Sequence, residues 1–301
     1  MGSSHGAYNV DSRMPRTERV TSRVIVYRSI DSTNIEAGRL LQDGTLQLND
    51  GSVVAIAADT QSAGRGRLDH AWVSRPGESF AVTFVTTVPR WLALDASVNG
   101  WLQMIAGLAT VDGLRGAMRE CGAQSIATMN DDADGAGFML KWPNDVFLGG
   151  HKLGGILSQM ASLPMGSMTE EYNDDNKGAD RIAIIFGIGL NLAIDAEYLP
   201  TAQSTSLQLH YAPLPDAESL RARLRGFAAD PHRQAHDLRD EVEKICYTLG
   251  RHAVAHYVDG SEMEGEAVAL YADASLDLRT ADGIVHTIRT ADVGVLPKPC
   301  V

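Results

Sequence analysis

The sequence predicts an α+β protein: a mixed β-sheet packed by helices, followed by a small C-terminal β-barrel. Buried-type, β-branched runs at 53–58 and 80–88 flank a glycine- and arginine-bearing loop. The stretch 96–119 places Val98, Leu102, Ile105, Leu108 and Leu114 at helical spacing, as a long helix packed on a sheet requires. Beyond Gly250, short alternating segments separated by Asp-Gly and Ala-Asp turns return at nearly even intervals. With 301 residues, 44% of them hydrophobic, the chain can bury a large core, as one large domain or a large domain plus a small one.

The elements follow in order. Residues 1–20 hold no apolar run and are expected to be a flexible N-terminal segment, with a main domain over 21–248 and a small β domain over 249–301. Residues 24–27 (VIVY) form a strand, after which Ser32, Thr33 and Asn34 cap a helix through Leu41 and gather side-chain oxygens at its start. The strands 53–58 and 80–88 enclose the loop 61–72, and the helix 96–119 ends near Cys121-Gly122. Residues 138–141, the turn WPND, residues 146–148, a Gly149-Gly150 turn and 152–159 make a hairpin-like unit. The stretches 130–137 and 163–180, rich in Asp, Gly and Asn, read as a loose loop and an extended hairpin tip. Residues 181–186 are a strand that turns at Gly187 and Gly189; 204–210 and 219–247 read as helical, the second broken at Asp230-Pro231. The tail strands are 252–258, 265–271, 276–280 and 284–290.

The formal charge of -12 argues against a nucleic-acid-holding protein, so any basic site is local. Cys121, Cys246 and Cys300 are odd in number and too far apart for a CxxC metal pair, which points to a reducing cytoplasm. No run of about 18 apolar residues exists, so no membrane span is expected. There is no P-loop, and the Gly187-x-Gly189 run holds Leu192 where a dinucleotide fingerprint needs its third glycine. His70, His151, His232 and His236 show no metal-ligand spacing.

Two segments carry the chemistry. The loop QSAGRGRLDHAW at 61–72 offers consecutive backbone N–H groups and the guanidinium forks of Arg65 and Arg67 to a carboxylate or phosphate; alone, such a loop is more often a solvated turn. In KWPND at 141–145, Pro143 biases Trp142 towards an extended backbone and so aims Lys141 rather than leaving it free. Asp145 has two readings, holding a metal through phosphate or capping the turn by an Asx bond. Gly154, Gly155, Gly187 and Gly189 permit close backbone approach, as in the wall of a tunnel for an unbranched ligand, or mark bulges and tight packing.

In order, DSTN at 31–34, QSAGRGRLDHAW at 61–72, KWPND at 141–145, HKLGGIL at 151–157 and GIGLN at 187–191 resemble the biotin–protein ligases, from about residue 24 to the end of the chain. The resemblance implies a catalytic domain of the class II aminoacyl-tRNA synthetase-like type with an SH3-like C-terminal domain. It implies a ligase that joins biotin and ATP, with Mg2+, into biotinyl-5′-AMP and then biotinylates a lysine of a biotin carboxyl carrier protein or domain of a biotin-dependent carboxylase. Carried over by position, Ser32, Thr33 and Gln61 would bond the ureido ring with Asn34 in support, and Gly64, Arg65, Gly66 and Arg67 would close over the carboxylate and adenylate. Lys141 would sit at the carboxylate and α-phosphate, making Arg67 and Lys141 the catalytic pair. Gly154, Gly155, Gly187 and Gly189 would line the tunnel, Trp72 would pack on adenine and Asn191 would lie near the nucleotide. His70 stands where the family commonly has a further arginine, which either weakens the loop's charge or makes its closure pH-sensitive. The acidic stretches 130–134 and 170–175 look like insertions. With about 20 residues before the first strand, no DNA-binding winged helix is expected there. The rivals are a lipoate–protein ligase or octanoyltransferase, which needs no urea pocket, and a catalytically inactive biotin-binding protein.

Overall fold

Why the chain folds around one large sheet is visible in its most apolar strand, RIAIIFGIGLN, whose alternate residues feed two different cores. The computed structural model describes residues 14–49, 51–73, 76–126, 137–163, 180–224 and 235–296. The first half runs α1 (Pro15–Glu18), β1 (Arg23–Tyr27), α2 (Thr33–Gln42), β2 (Val54–Ala58), β3 (Gly64–Arg65), β4 (Ala71–Trp72), β5 (Ser79–Pro89), α3 (Arg90–Leu94) and α4 (Gly100–Glu120). Then come β6 (Gln124–Ser125), β7 (Phe138–Lys141), β8 (Asp145–Leu148), β9 (His151–Ala161), β10 (Arg181–Asn191), β11 (Tyr211–Ala212), α5 (Ala217–Leu224) and α6 (Ala235–Lys244). The tail holds β12 (His252–His256), β13 (Glu262–Leu270), β14 (Leu276–Arg279), β15 (Val285–Ile288) and β16 (Asp292–Val295).

Seven strands pair in the order β1-β2-β5-β10-β9-β8-β7. Only β1 and β2 run parallel, so the sheet is mixed, with packed helices, as the α+β reading expects. On β10, Ile182, Ile184, Phe186, Ile188 and Leu190 enter the core under α4, while Ala183 and Ile185 enter the core under α2. A strand buried on both faces reads as a continuous apolar run rather than an alternation. In α4, Leu108, Val111, Leu114 and Ala117 are buried. Truncating Leu114 to alanine would cost about 2–5 kcal/mol by the usual cavity rule.

The second sheet, β15-β14-β13-β12-β16, is antiparallel throughout. No pairing joins β15 to β16 among the described residues, so this is an open five-stranded sheet rather than a closed barrel. Its core includes Trp101 and Trp142 from the main unit. Both indoles reach one turn of the tail: Trp101 Nε1 donates to Ala272 O (2.6 Å) and Trp142 Nε1 to Ala274 O (2.8 Å). Trp142 is thus an anchor to the C-terminal sheet.

Several local expectations change. Residues 204–210 are not a helix: only Leu207–Leu209 makes a 3-10 turn, because the Thr205 amide donates to Lys152 O instead of to a helical neighbour. The helix start at Ser32 has no side-chain cap; Gln61 Oε1 accepts the Thr33 N–H (2.8 Å) and Asp31 Oδ1 accepts the Ser32 N–H (2.7 Å). Within the leading segment, Pro15–Glu18 is a helical turn with Thr17 buried. The stretch 130–134, the tip 164–179, Asp230-Pro231, His232 and Cys300 lie outside the described residues. Among those described, no helix is long and apolar enough to cross a membrane.

Candidate active site

Where β10 passes from Ile185 to Gly187 and Gly189, the row of side chains facing α2 stops, and a cavity of about 390 Å³ opens above the strand. The neighbouring strand offers Gly155 opposite Gly189 and Leu157 opposite Gly187. A Cβ on Gly187 would lie 2.2 Å from Asn34 Oδ1, and one on Gly189 would lie 2.6 Å from the Trp72 ring. These glycines exist because two functional side chains rest on them.

One end of the cavity is a finished hydrogen-bond network. Thr33 donates its N–H and its hydroxyl to Gln61 Oε1 (2.8 and 3.1 Å). Thr83 Oγ1 lies 2.7 Å from Asn34 Oδ1 and 2.8 Å from Thr33 Oγ1. Asn34 Nδ2 donates to Leu157 O (3.1 Å) and Gln159 Oε1 (2.9 Å). Arg39, paired with Asp31 and with buried Glu36, holds the preceding turn and keeps the Asp31 carboxyl below its usual range. Ser32 lines the cavity, and its hydroxyl makes no bond among the described residues.

The other end is cationic. Lys141 and Asp145 stand opposite each other across the β7–β8 hairpin, so their side chains share the cavity face. Asp145 Oδ2 accepts from Lys141 Nζ at 3.0 Å, and Oδ1 pairs with Lys152 Nζ at 2.7 Å. Burial alone would raise the Asp145 pKa, but the two lysines override it and hold it below the usual carboxylate range. The Asx reading of Asp145 does not hold, because its oxygens pair with the two lysines rather than with a backbone N–H of the turn. Among the described residues no group of three or more His, Cys, Asp or Glu could hold a metal.

Lys152 reaches this face through a β-bulge. Val146 pairs with Gly154 but Phe147 pairs with Lys152, leaving Leu153 without an opposite residue. Leu153 turns into the core and Lys152 into the cavity, its side chain 39% exposed against 11% for Lys141. The backbone of Lys152 is strapped on both sides, donating to Gln203 O and accepting from Thr205 N (2.8 Å each). Lys152, Asn144, Gln203 and Asp292 line the cavity without having been singled out from sequence. Of these, the lysine inside HKLGGIL alone carried a signal, a second cation within a motif already noted.

The loop above is a hairpin: β3 pairs with β4, and Gly66 N donates to His70 O at 2.7 Å. Leu68 at its tip has a left-handed φ of 51°, a conformation that leucine disfavours. Arg67 points inward, with Nη1 3.4 Å from both Asn144 Oδ1 and Ala291 O. Burial pulls its pKa below the usual arginine range, against Asp292 and Asp145. Arg65 and His70 are exposed at the rim. The Trp72 indole N–H is buried and has no partner among the described residues.

The cavity therefore gathers Ser32, Thr33, Asn34, Gln61, Arg65, Gly66, Arg67, Trp72, Lys141, Asp145, Gly155, Gly187 and Gly189. Three expected residues stand elsewhere. Gly154 faces the other side, where a Cβ would lie 2.2 Å from Gly189 O, and Gly64 backs onto Trp72 O at 2.5 Å. Asn191 is buried and donates to Thr205 O (3.0 Å), which ties down the strap beside Lys152.

Residues 26–167 match the model of the Biotin/lipoate A/B protein ligase family. Among curated proteins, the chain is 36% identical over 163 residues to a biotin--[acetyl-CoA-carboxylase] ligase of Paracoccus denitrificans, covering 54% of this chain and 52% of that protein. It is 29% identical over 171 residues to the Mycobacterium tuberculosis protein of the same name, covering 57% and 51%. The match thus spans about half the length of these relatives. In structure, the chain resembles the biotin protein ligase of Aquifex aeolicus in complex with biotin and ATP, with a TM-score of 0.58 at 18% identity, covering 91% of this chain and 98% of that one. At that identity the likeness speaks for the fold alone.

Proposed function

We propose, from the match of residues 26–167 to the model of the Biotin/lipoate A/B protein ligase family, that the chain is a biotin–protein ligase. It activates biotin with ATP and passes the biotinyl group to a lysine of a biotin carboxyl carrier domain. One observation carries the reading: a single cavity joins a polar, prearranged end at Ser32, Thr33 and Gln61 to a cationic end at Arg67, Lys141 and Lys152. A urea ring needs the first and two approaching anions need the second.

In the first step a carboxylate oxygen attacks the α-phosphorus, a P–O bond to pyrophosphate breaks, and biotinyl-5′-AMP forms. Fixed cations whose contacts strengthen as charge builds supply the acceleration. Arg67, Lys141 and Lys152 take that role, with Lys152 the more accessible lysine and Asp145 setting the spacing between the two ammonium groups. Arg65 and Gly66 close the loop over the adenylate, and Trp72 offers its ring face to adenine. In the second step the carrier's neutral amine attacks the acyl carbon and AMP leaves; the enzyme's part is placement. Mg2+ would supply charge neutralisation at the nucleotide phosphates, with Asp145 the carboxylate of the cationic end that could face it. The five-stranded tail corresponds to an SH3-like domain over 249–301, after a catalytic domain over 21–248. We place the protein in the cytoplasm, without a nucleic-acid or membrane partner.

Biotin-dependent exchange of pyrophosphate into ATP tests the reading, and exchange is expected. Exchange with lipoate or octanoate but not with biotin would reassign the chain to the lipoate ligase and octanoyltransferase side. Biotin binding by calorimetry with no exchange would make it a binding protein.

A further inference from the structure

We infer that Thr83 on β5, which has no solvent exposure, sets the hydrogen-bond polarity of the ring end of the cavity; it is a positioning residue for urea recognition, and this rests on the biotin-ligase reading above. The direction of each hydrogen bond follows from counting protons. Asn34 spends both Nδ2 protons on Leu157 O and Gln159 Oε1, which turns its Oδ1 towards Thr83. An amide oxygen only accepts, so the one Thr83 hydroxyl proton goes to it. A Thr83 lone pair then faces Thr33 Oγ1, 2.8 Å away. Thr33 thus has two internal acceptors, Thr83 Oγ1 and Gln61 Oε1, and its single proton stays inside the network. To the cavity Thr33 presents a lone pair.

Gln61 is oriented in the same way. Its Oε1 is held by the Thr33 N–H and hydroxyl, leaving the Nε2 protons as donors. An acceptor at Thr33 beside a donor at Gln61 complements a urea, whose N–H donates next to a carbonyl that accepts. Without the Thr83 hydroxyl, Asn34 Oδ1 loses its donor and Thr33 loses one of the two acceptors that keep its proton turned inward. Thr83 touches no ligand; it acts through Asn34 and Thr33.

Thr83→Val keeps the β-branched shape suited to a strand and removes only the hydroxyl. The wild-type protein is measured first, by calorimetry with biotin and by biotin-dependent pyrophosphate exchange; if it neither binds biotin nor exchanges, the functional reading fails and this inference with it. Given activity, Thr83→Val should raise the KM for biotin at least about tenfold while kcat stays within about twofold, the pattern of lost uniform binding. Thr83→Ser, which restores the hydroxyl, should return the KM to within about threefold of wild type. Desthiobiotin, which keeps the urea and lacks the sulfur, should lose affinity by the same factor as biotin. An unchanged KM in Thr83→Val, a fall in kcat as large as the rise in KM, or no rescue by serine would overturn the inference while leaving the ligase reading intact. Should the valine variant not fold, Thr83→Ala removes the same hydroxyl without adding a branch and is read in the same way.

Discussion

The two ends of the cavity are built on opposite plans. At the ring end, Gln61, Thr33, Thr83, Asn34 and Gln159 satisfy one another, and few groups are left to meet a ligand. At the charged end, the hydrogen bonds of Arg67 are long and go to neutral oxygens, Asp292 and Asp145 act on it electrostatically, and two lysines divide the Asp145 carboxylate. The first end is finished before a ligand arrives. The second carries surplus positive charge that only incoming anions can balance. Binding specificity is thus stored in protons already placed, and chemistry in charge left unpaired.

The largest effect that can break this contrast is at Asp145. Asp145→Ala removes the buried partner of both lysines and should destabilise the fold by about 3–5 kcal/mol, read by chemical denaturation at pH 7. The same carboxylate gives a pH signature. Its folded-state pKa lies below the ordinary value, so its contribution is complete above the unfolded pKa and is lost as pH falls through the depressed folded value. Wild-type stability should therefore decline below about pH 4, and Asp145→Asn should flatten that part of the profile.

Next in size is catalysis. Lys152→Ala should slow biotin-dependent pyrophosphate exchange on the order of a hundredfold, and Lys141→Ala at least about tenfold, with biotin affinity changing less than the rate. An equal loss in both variants would mean that the pair acts as one unit.

Gly187→Ala comes third. Its methyl would collide with Asn34 Oδ1, and biotin affinity measured by calorimetry should fall by about 1–3 kcal/mol of overpacking cost. The smallest change is Ser32→Ala, which deletes a hydroxyl that makes no bond among the described residues. It should cost about 1 kcal/mol of biotin affinity and leave folding stability within about 0.5 kcal/mol. A large stability loss there would show that the ring end depends on Ser32 for its own order.

Much of this was legible in the chain. The strands at 24–27, 53–58 and 181–186 announce themselves by β-branched, apolar runs, and the long helix by its period. The last strand, however, runs on through Gly187 and Gly189 to Asn191 instead of turning there, its register with both neighbours unbroken. The motif residues Thr33, Gln61, Arg67 and Lys141 do meet in one cavity. What stayed hidden depends on contacts between distant segments. Asp292 and the carbonyl of Ala291 reach Arg67 from the tail across 224 residues of chain, with no local pattern to mark them. Residues 204–210 read as helix because their apolar spacing suits one, while the competing partner, the Lys152 backbone, lies about fifty residues away. Thr83 passes for an ordinary strand threonine until Asn34 is brought over it.

The unmatched Leu153 has a consequence for how such a protein can change. Neighbouring strand residues point to opposite faces, so one supernumerary residue inverts odd and even for everything before it relative to everything after it. Lys152 and Gly155 stand three positions apart, a spacing that a regular strand puts on opposite faces, and they face the same cavity because the bulge absorbs Leu153. Deleting Leu153 would leave a regular pairing with the lysine still on the cavity face, at the cost of a buried core side chain, whereas closing the bulge with Leu153 retained would turn Lys152 towards the hydrocarbon layer. The arithmetic of this segment constrains its evolution as firmly as the identity of its residues.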